Sequence, residues 1–216
     1  MIIAIDGLGV NGKSTLAKML ANDLNLKYLN TGSIYRCIAL EITNKNLNMH
    51  NIENVIKHLK HISIDFEDEK VFLDGIDVTK QIRTETISVK STEWATIPEI
   101  KELVRKIQKE YINKNDVVIE GRDICTRIAP NADFKFYLYS NFETRVTRLY
   151  NSNKSIDIET IRNNLTIRDK LDIDGKNFIK PKDAIEIDTT NLSINNVYNI
   201  MLDTINNKKI ANKEMI

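Results

Sequence analysis

The chain has no surplus of charge. Its 31 lysines and arginines face 30 aspartates and glutamates, a formal net charge of +1. That balance removes the bulk attraction that draws proteins to nucleic acid or to anionic membrane surfaces. No basic cluster interleaved with aromatics replaces it locally. Only two cysteines occur, Cys37 and Cys125, far apart in sequence; they suit a reduced compartment, exclude a disulfide framework, and read as small apolar residues. No apolar run approaches the roughly 18 residues of a membrane-spanning helix. The N-terminus runs straight into a strand pattern, so no signal peptide is expected. His58 and His61 stand at i, i+3, a spacing metal ligands use, but no cysteine or third histidine accompanies them; they read as a solvated helix face. Internal repeats and long linkers are also absent. The expectation is a cytoplasmic globular protein, a monomer, with neither nucleic acid nor membrane as partner. At 216 residues and 42% hydrophobic content it can bury a substantial core within one domain.

What is present begins at Gly7-Leu8-Gly9-Val10-Asn11-Gly12-Lys13-Ser14, between the apolar run Ile2–Ile5 and the helix-periodic stretch Thr15–Ala21. This is G-x-x-x-x-G-K-[ST] in its required setting, a buried strand before and a helix after. Glycines let the backbone wrap closely round a polyphosphate with its N–H groups inward. Lys13 can reach the outer phosphates, the Ser14 hydroxyl can ligate Mg²⁺, and the helix N-terminus adds its positive end. The motif implies a nucleoside triphosphate.

Periodicity predicts further core strands at 26–29, 116–120, 134–138 and 184–188. Helices are predicted at 34–44, 52–61, 85–96, 99–112, 143–150 and 157–171 and after Ser193. Thr31 or Ser33 is expected to cap the 34–44 helix, Pro98 to split its two neighbours, and Asn206 to begin a frayed polar tail. Residues 62–66 and 70–73 alternate like strands joined by the acidic turn Glu67-Asp68-Glu69, and Asp74-Gly75 turns into Ile76-Asp77-Val78. These form a small antiparallel sheet inserted in a βα scaffold. The fold class is α/β: a doubly wound parallel sheet with helices on both faces and ligands at the carboxyl ends of the strands.

Four clusters are expected at those strand ends: Lys13 with Ser14, Thr31 with Arg36, Arg122 with Asp123, and Arg168 with its charged neighbours. Several cations converging on one cleft suit phosphoryl transfer, because charge spreads over the equatorial oxygens of the group in flight. Read singly, each arginine is equally a solvated surface charge, and Asp123 a carboxylate paired with a neighbouring arginine.

Over nearly its whole length the sequence resembles the bacterial cytidylate kinases. The resemblance lies in Ile3–Gly7 leading into Gly12-Lys13-Ser14-Thr15, in Asn30-Thr31-Gly32-Ser33-Ile34-Tyr35-Arg36, in Val71–Thr79 through Ile82-Arg83, and in Val118–Thr126 with its Glu120-Gly121-Arg122-Asp123. It implies ATP-dependent phosphorylation of CMP and dCMP with Mg²⁺, on one domain of 216 residues carrying an acceptor-binding insert at about 45–97 and a helical lid at about 155–180. It implies ATP contacts from Gly7, Gly9, Asn11, Gly12, Lys13, Ser14, Thr15 and Arg148. For CMP it implies Thr31, Arg36, Thr92, Lys101, Arg122, Asp123, Arg168 and Asp172. Of these, Arg36 and Arg122 would hold the acceptor phosphate and Asp123 would accept from the cytosine amino group, while Arg168 and Asp172 would lie on the lid side; Lys13, Arg36, Arg122 and Arg168 form the catalytic set. The chain departs from the family pattern at Asn30, where the family has Asp, at Lys101, where it has Arg, at Cys125, where it has Gly, and at Gly175 with Lys176 next, where the lid's last Arg would stand. Other readings are a kinase of another nucleotide or small metabolite, and a nucleotide-binding homologue without turnover.

Overall fold

Strands and helices alternate through the computed structural model, which describes residues 1–67, 70–174 and 178–214. Two compact units divide the chain, Met1–Leu26 together with Asp116–Ile216, and Lys27–Asn115.

The first unit opens with β1 (Ile2–Asp6) and α1 (Lys13–Asp23). The second unit carries β2 (Lys27–Asn30), α2 (Thr31–Asn44), α3 (Ile52–Leu59), β3 (Ile64–Glu67), β4 (Lys70–Leu73), β5 (Ile76–Asp77), α4 (Glu85–Trp94) and α5 (Pro98–Lys114). The first unit then resumes with β6 (Val117–Gly121), β7 (Phe134–Tyr139), α6 (Phe142–Ser152), α7 (Ile158–Asp174), β8 (Ile185–Asp188) and α8 (Ile194–Glu214).

In the first unit β1 lies between β6 and β7, and β8 joins β7, all parallel. Ile3, Ala4, Ile5, Val117, Val118, Ile119, Phe136 and Leu138 are wholly buried. A parallel sheet covered on both faces explains why its strands read as continuous apolar runs. Each large side chain removed from water contributes about 1.5–3 kcal/mol. Parallel pairing also brings the carboxyl ends of β1 and β6 together, with Asp6 in register with Gly121. A further apolar cluster of Val146, Ile161 and Leu165, with Val10 packed on it, seats the α6–α7 pair against the glycine-rich loop.

In the second unit β3, β4 and β5 form the expected antiparallel sheet. Asp74 and Gly75 turn it with φ of 50° and 77°, the positive pair that a tight hairpin turn requires. The acidic turn's Asp68 and Glu69 fall outside the described residues. The cap of α2 differs from expectation: the Asn30 side chain accepts from Ser33 N–H at 3.1 Å, and Thr31 is already helical. Asn caps as well as Asp because either oxygen serves the orphan amides. Pro98 opens α5 from within its first turn, where its missing N–H costs nothing. His58 is not merely solvated: its Nε2 meets Glu41 Oε1 at 2.6 Å, and Glu41 is buried. His61 lies beyond the end of α3. Nor does a frayed tail begin at Asn206; α8 continues to Glu214, in a segment with no glycine or proline to stop it.

Candidate active site

The glycine-rich loop is shaped by contacts that leave no room at its key positions. A Cβ on Gly7, whose φ is +149°, would fall 2.1 Å from the Leu138 carbonyl oxygen. Gly12 opens α1 with φ of +80°. No described side chain caps that helix, so its first amides remain for an anion. Asn11 is buried and staples the loop: its Nδ2 donates to the Leu8 carbonyl at 3.2 Å, and Ser140 Oγ donates to its Oδ1 at 2.6 Å.

Lys13 is buried, and its Nζ donates to the Leu8 carbonyl at 2.8 Å. Burial, followed by the Arg122 charge, lowers its pKa to about 7, against the pull of Glu120 and Asp6. A lysine so destabilised as a cation gains its full charge once phosphates arrive beside it. Ser14 Oγ donates to Glu120 Oε1 at 2.8 Å. These two hard oxygen groups suit Mg²⁺, which takes one or two side-chain oxygens and completes its shell with phosphate and water. Among the described residues no group of three or more His, Cys, Asp or Glu could hold an ion alone.

Arg122 and Arg168 converge on this loop. A Cβ on Gly9 would lie 3.6 Å from an Arg122 Nη and 3.9 Å from the Arg168 guanidinium carbon. Arg168 does not follow a strand, as expected from sequence; it sits within α7 and reaches Gly9 because that helix packs on the loop. Arg122 Nε donates to Asp172 Oδ2 at 2.7 Å. Asp123, on the same loop, pairs with Arg127 at 3.1 Å. Gly175 and Lys176, where the lid departs from the family pattern, lie outside the described residues.

Arg145, which the sequence did not single out, is buried, with both Nη atoms on the Asp169 carboxylate at 3.0 and 2.5 Å. Its Nε has no hydrogen-bond partner among the described residues. The pair ties α6 to α7 one residue beyond Arg168. Its partners are 24 residues apart, so no local spacing announces it.

A cavity of about 330 Å³ opens beside the loop, lined by Gly12, Thr15, Arg148, Leu192, Ile194 and Val197 among others. Arg148 donates to Thr189 Oγ1 at 3.0 Å and to the Thr189 carbonyl. Thr15 and Arg148 were expected at a nucleotide; the apolar wall from the start of α8 was not, since its residues read as ordinary helix core.

In the second unit Arg36 is half-buried and donates to the Ile82 carbonyl and to Ser88 Oγ, each at 3.1 Å. Burial, then the Arg83 charge, lowers its pKa. Thr31 is buried at the first turn of α2. Thr92 is exposed on α4, its hydroxyl on the Ser88 carbonyl at 3.1 Å, and Lys101 lies on α5. Both cysteines are buried. Burial pushes Cys37 up to about 12 and raises Cys125 further, so neither serves as a nucleophile. Among the described residues no helix is long and apolar enough to cross a membrane.

The fold resembles that of the Thermus thermophilus protein TT1252, with a TM-score of 0.51 and 16% identity over 96% of this chain and 97% of that one. Sequence likeness reaches further. A cytidylate kinase from Clostridium tetani is 36% identical over 100% of this chain and 98% of its own length. One from Bacillus subtilis is 37% identical over 95% and 96%, and one from Caldanaerobacter subterraneus 38% identical over 88% of each. The cytidylate kinase family model matches residues 3–207, a span that holds the glycine-rich loop, the arginines gathered at Gly9 and the inserted sheet alike, and the chain therefore belongs to the cytidylate kinase family.

Proposed function

We propose that this chain transfers the γ-phosphoryl group of ATP to CMP and dCMP. The observation that carries the reading is the convergence of Arg122 and Arg168 on Gly9, beside Lys13 and the uncapped start of α1. Fixed donors of this kind stabilise charge on a phosphoryl group in flight without having to move. An acceptor phosphate oxygen attacks the γ-phosphorus in line, the bond to the bridging oxygen breaks, and ADP leaves.

ATP lies along Gly7–Thr15, with its base against Arg148 and the apolar wall of the cavity. Ser14 and Glu120 would hold Mg²⁺, which when bound would neutralise phosphate charge. Arg36 and Arg122 take the acceptor phosphate. Thr31, Thr92, Lys101 and Asp123 read the acceptor nucleoside, and Arg168 and Asp172 serve from the lid. An ionised carboxylate at position 123 accepts from the exocyclic amine of cytosine and offers nothing to the uracil oxygen at that edge. The acceptor-binding insert spans about 45–97 and the lid about 155–180 of a single kinase domain.

Phosphorus NMR of ATP, Mg²⁺ and CMP with the enzyme tests this. The expected products are ADP and CDP in equal amounts. Release of inorganic phosphate without CDP would contradict transfer to CMP.

A further inference from the structure

Asp6 has no exposed surface, although it ends a central strand otherwise filled by isoleucine and alanine. A buried carboxylate persists only where hydrogen bonds compensate its lost water. Burial pushes its pKa up to about 6, against the effect of its two backbone donors. Those donors are specific. Ile124 N–H reaches Oδ1 at 2.9 Å, and Cys125 N–H reaches Oδ2 at 2.8 Å.

Both amides open a single wide helical turn, Ile124–Ile128, in which Ala129 N–H returns to the Ile124 carbonyl at 2.8 Å. The first amides of such a turn have no partner within it. Asp123 stands at the cap position but makes no capping bond there; its carboxylate is on Arg127. The cap comes instead from another strand. Register brings it there, because Asp6 faces Gly121, the residue before Arg122.

We propose that Asp6 is a positioning residue for the acceptor nucleotide: by holding the amides of Ile124 and Cys125, its carboxylate fixes the backbone that presents Arg122 and Asp123. The inference rests on the acceptor roles given to those two residues above. It explains why a titratable group occupies a strand position that an apolar residue would fill at lower cost. It also predicts that asparagine is a poor substitute. A carboxamide accepts one of the two amides through its oxygen and turns its own N–H donors toward the other.

Asp6 also favours the charged form of Lys13, so the test must separate the two routes. Steady-state kinetics of Asp6→Asn, with CMP and ATP varied in turn, does this. The expected result is a CMP KM raised by about tenfold, the scale of one lost buried hydrogen bond, a narrower preference for CMP over UMP, and an ATP KM little changed. A fall in kcat alone, with CMP KM and base preference intact, would assign Asp6 to Lys13 and overturn the proposal. Amide hydrogen exchange in the wild-type protein gives a reading that does not depend on the variant folding. Ile124 and Cys125 should exchange among the slowest amides outside the regular helices and strands; exchange at the rate of an exposed loop overturns the proposal. Wild-type turnover of CMP is measured alongside. Its absence would overturn the functional reading, while the exchange result still judges whether Asp6 holds the turn.

Discussion

Arg122 reaches the glycine-rich loop while its Nε is bound to Asp172 at 2.7 Å, and each side chain is about one-fifth exposed, at 20% and 18%. With Nε engaged, one Nη lies beside Gly9, 3.6 Å from where a Cβ would stand there. Asp172 thus orients the guanidinium instead of merely neutralising it. A partly exposed ion pair contributes only about 0–1 kcal/mol to stability. Asp172→Ala should therefore shift the thermal midpoint by only a few degrees, and yet lower kcat/KM for CMP by about tenfold. Thermal melts and kinetics on one preparation check the contrast. A large loss of stability with unchanged kinetics would make the pair purely structural.

Lys13→Ala removes a donor aimed at the charge that develops during transfer. Losing one such donor costs about 10²–10³ in kcat. Near wild-type turnover in a folded variant would remove this loop from catalysis.

Asp6 sets a pH dependence whose sign follows from its raised pKa. Its folded value is about 6 against an ordinary 3.8. Between roughly pH 4 and 6 the folded state keeps a proton that the unfolded chain has lost, so this group's contribution is greatest below that window and is lost as pH rises through about 6. Asparagine does not titrate. The thermal midpoint of wild type relative to Asp6→Asn should fall across that window and level off above it. A difference that grows with pH would contradict the assignment.

The Arg145–Asp169 pair predicts the opposite balance from Arg122–Asp172. Its side chains are 6% and 13% exposed, and removing one member leaves the other charge buried and unpaired. Asp169→Ala should cost about 3–5 kcal/mol in urea unfolding. Replacing both residues by apolar ones of similar volume should recover much of that loss. A single variant as stable as wild type would show that the pair does not hold α6 to α7.

How far the sequence discloses this arrangement depends on the distance over which each feature is encoded. The glycine-rich loop, the apolar strands and the Asp74-Gly75 turn are local patterns, and the structure has them where periodicity and turn chemistry predict. The cap of α2 was misplaced by one to three residues, because Asn30, Thr31 and Ser33 all have capping chemistry and only the backbone selects among them. Arg168 lies on the helix expected over 157–171 and not just after a strand; its approach to Gly9 depends on tertiary packing through Val10, Ile161 and Leu165. The Arg145–Asp169 pair and the apolar wall of Ile194 and Val197 carry no local signal. Asp6 and Glu120 did carry one, an acid closing an apolar strand run, which marks a group held in the core by specific partners.

The most direct test of the account is the wild-type kcat/KM for CMP, dCMP, UMP and AMP with saturating ATP and Mg²⁺. CMP and dCMP should exceed UMP by about ten- to a hundredfold, the effect of setting the partly buried Asp123 carboxylate against the uracil oxygen instead of the cytosine amine. Equal or better use of UMP or AMP would contradict both the acceptor assignment and the role of Asp123.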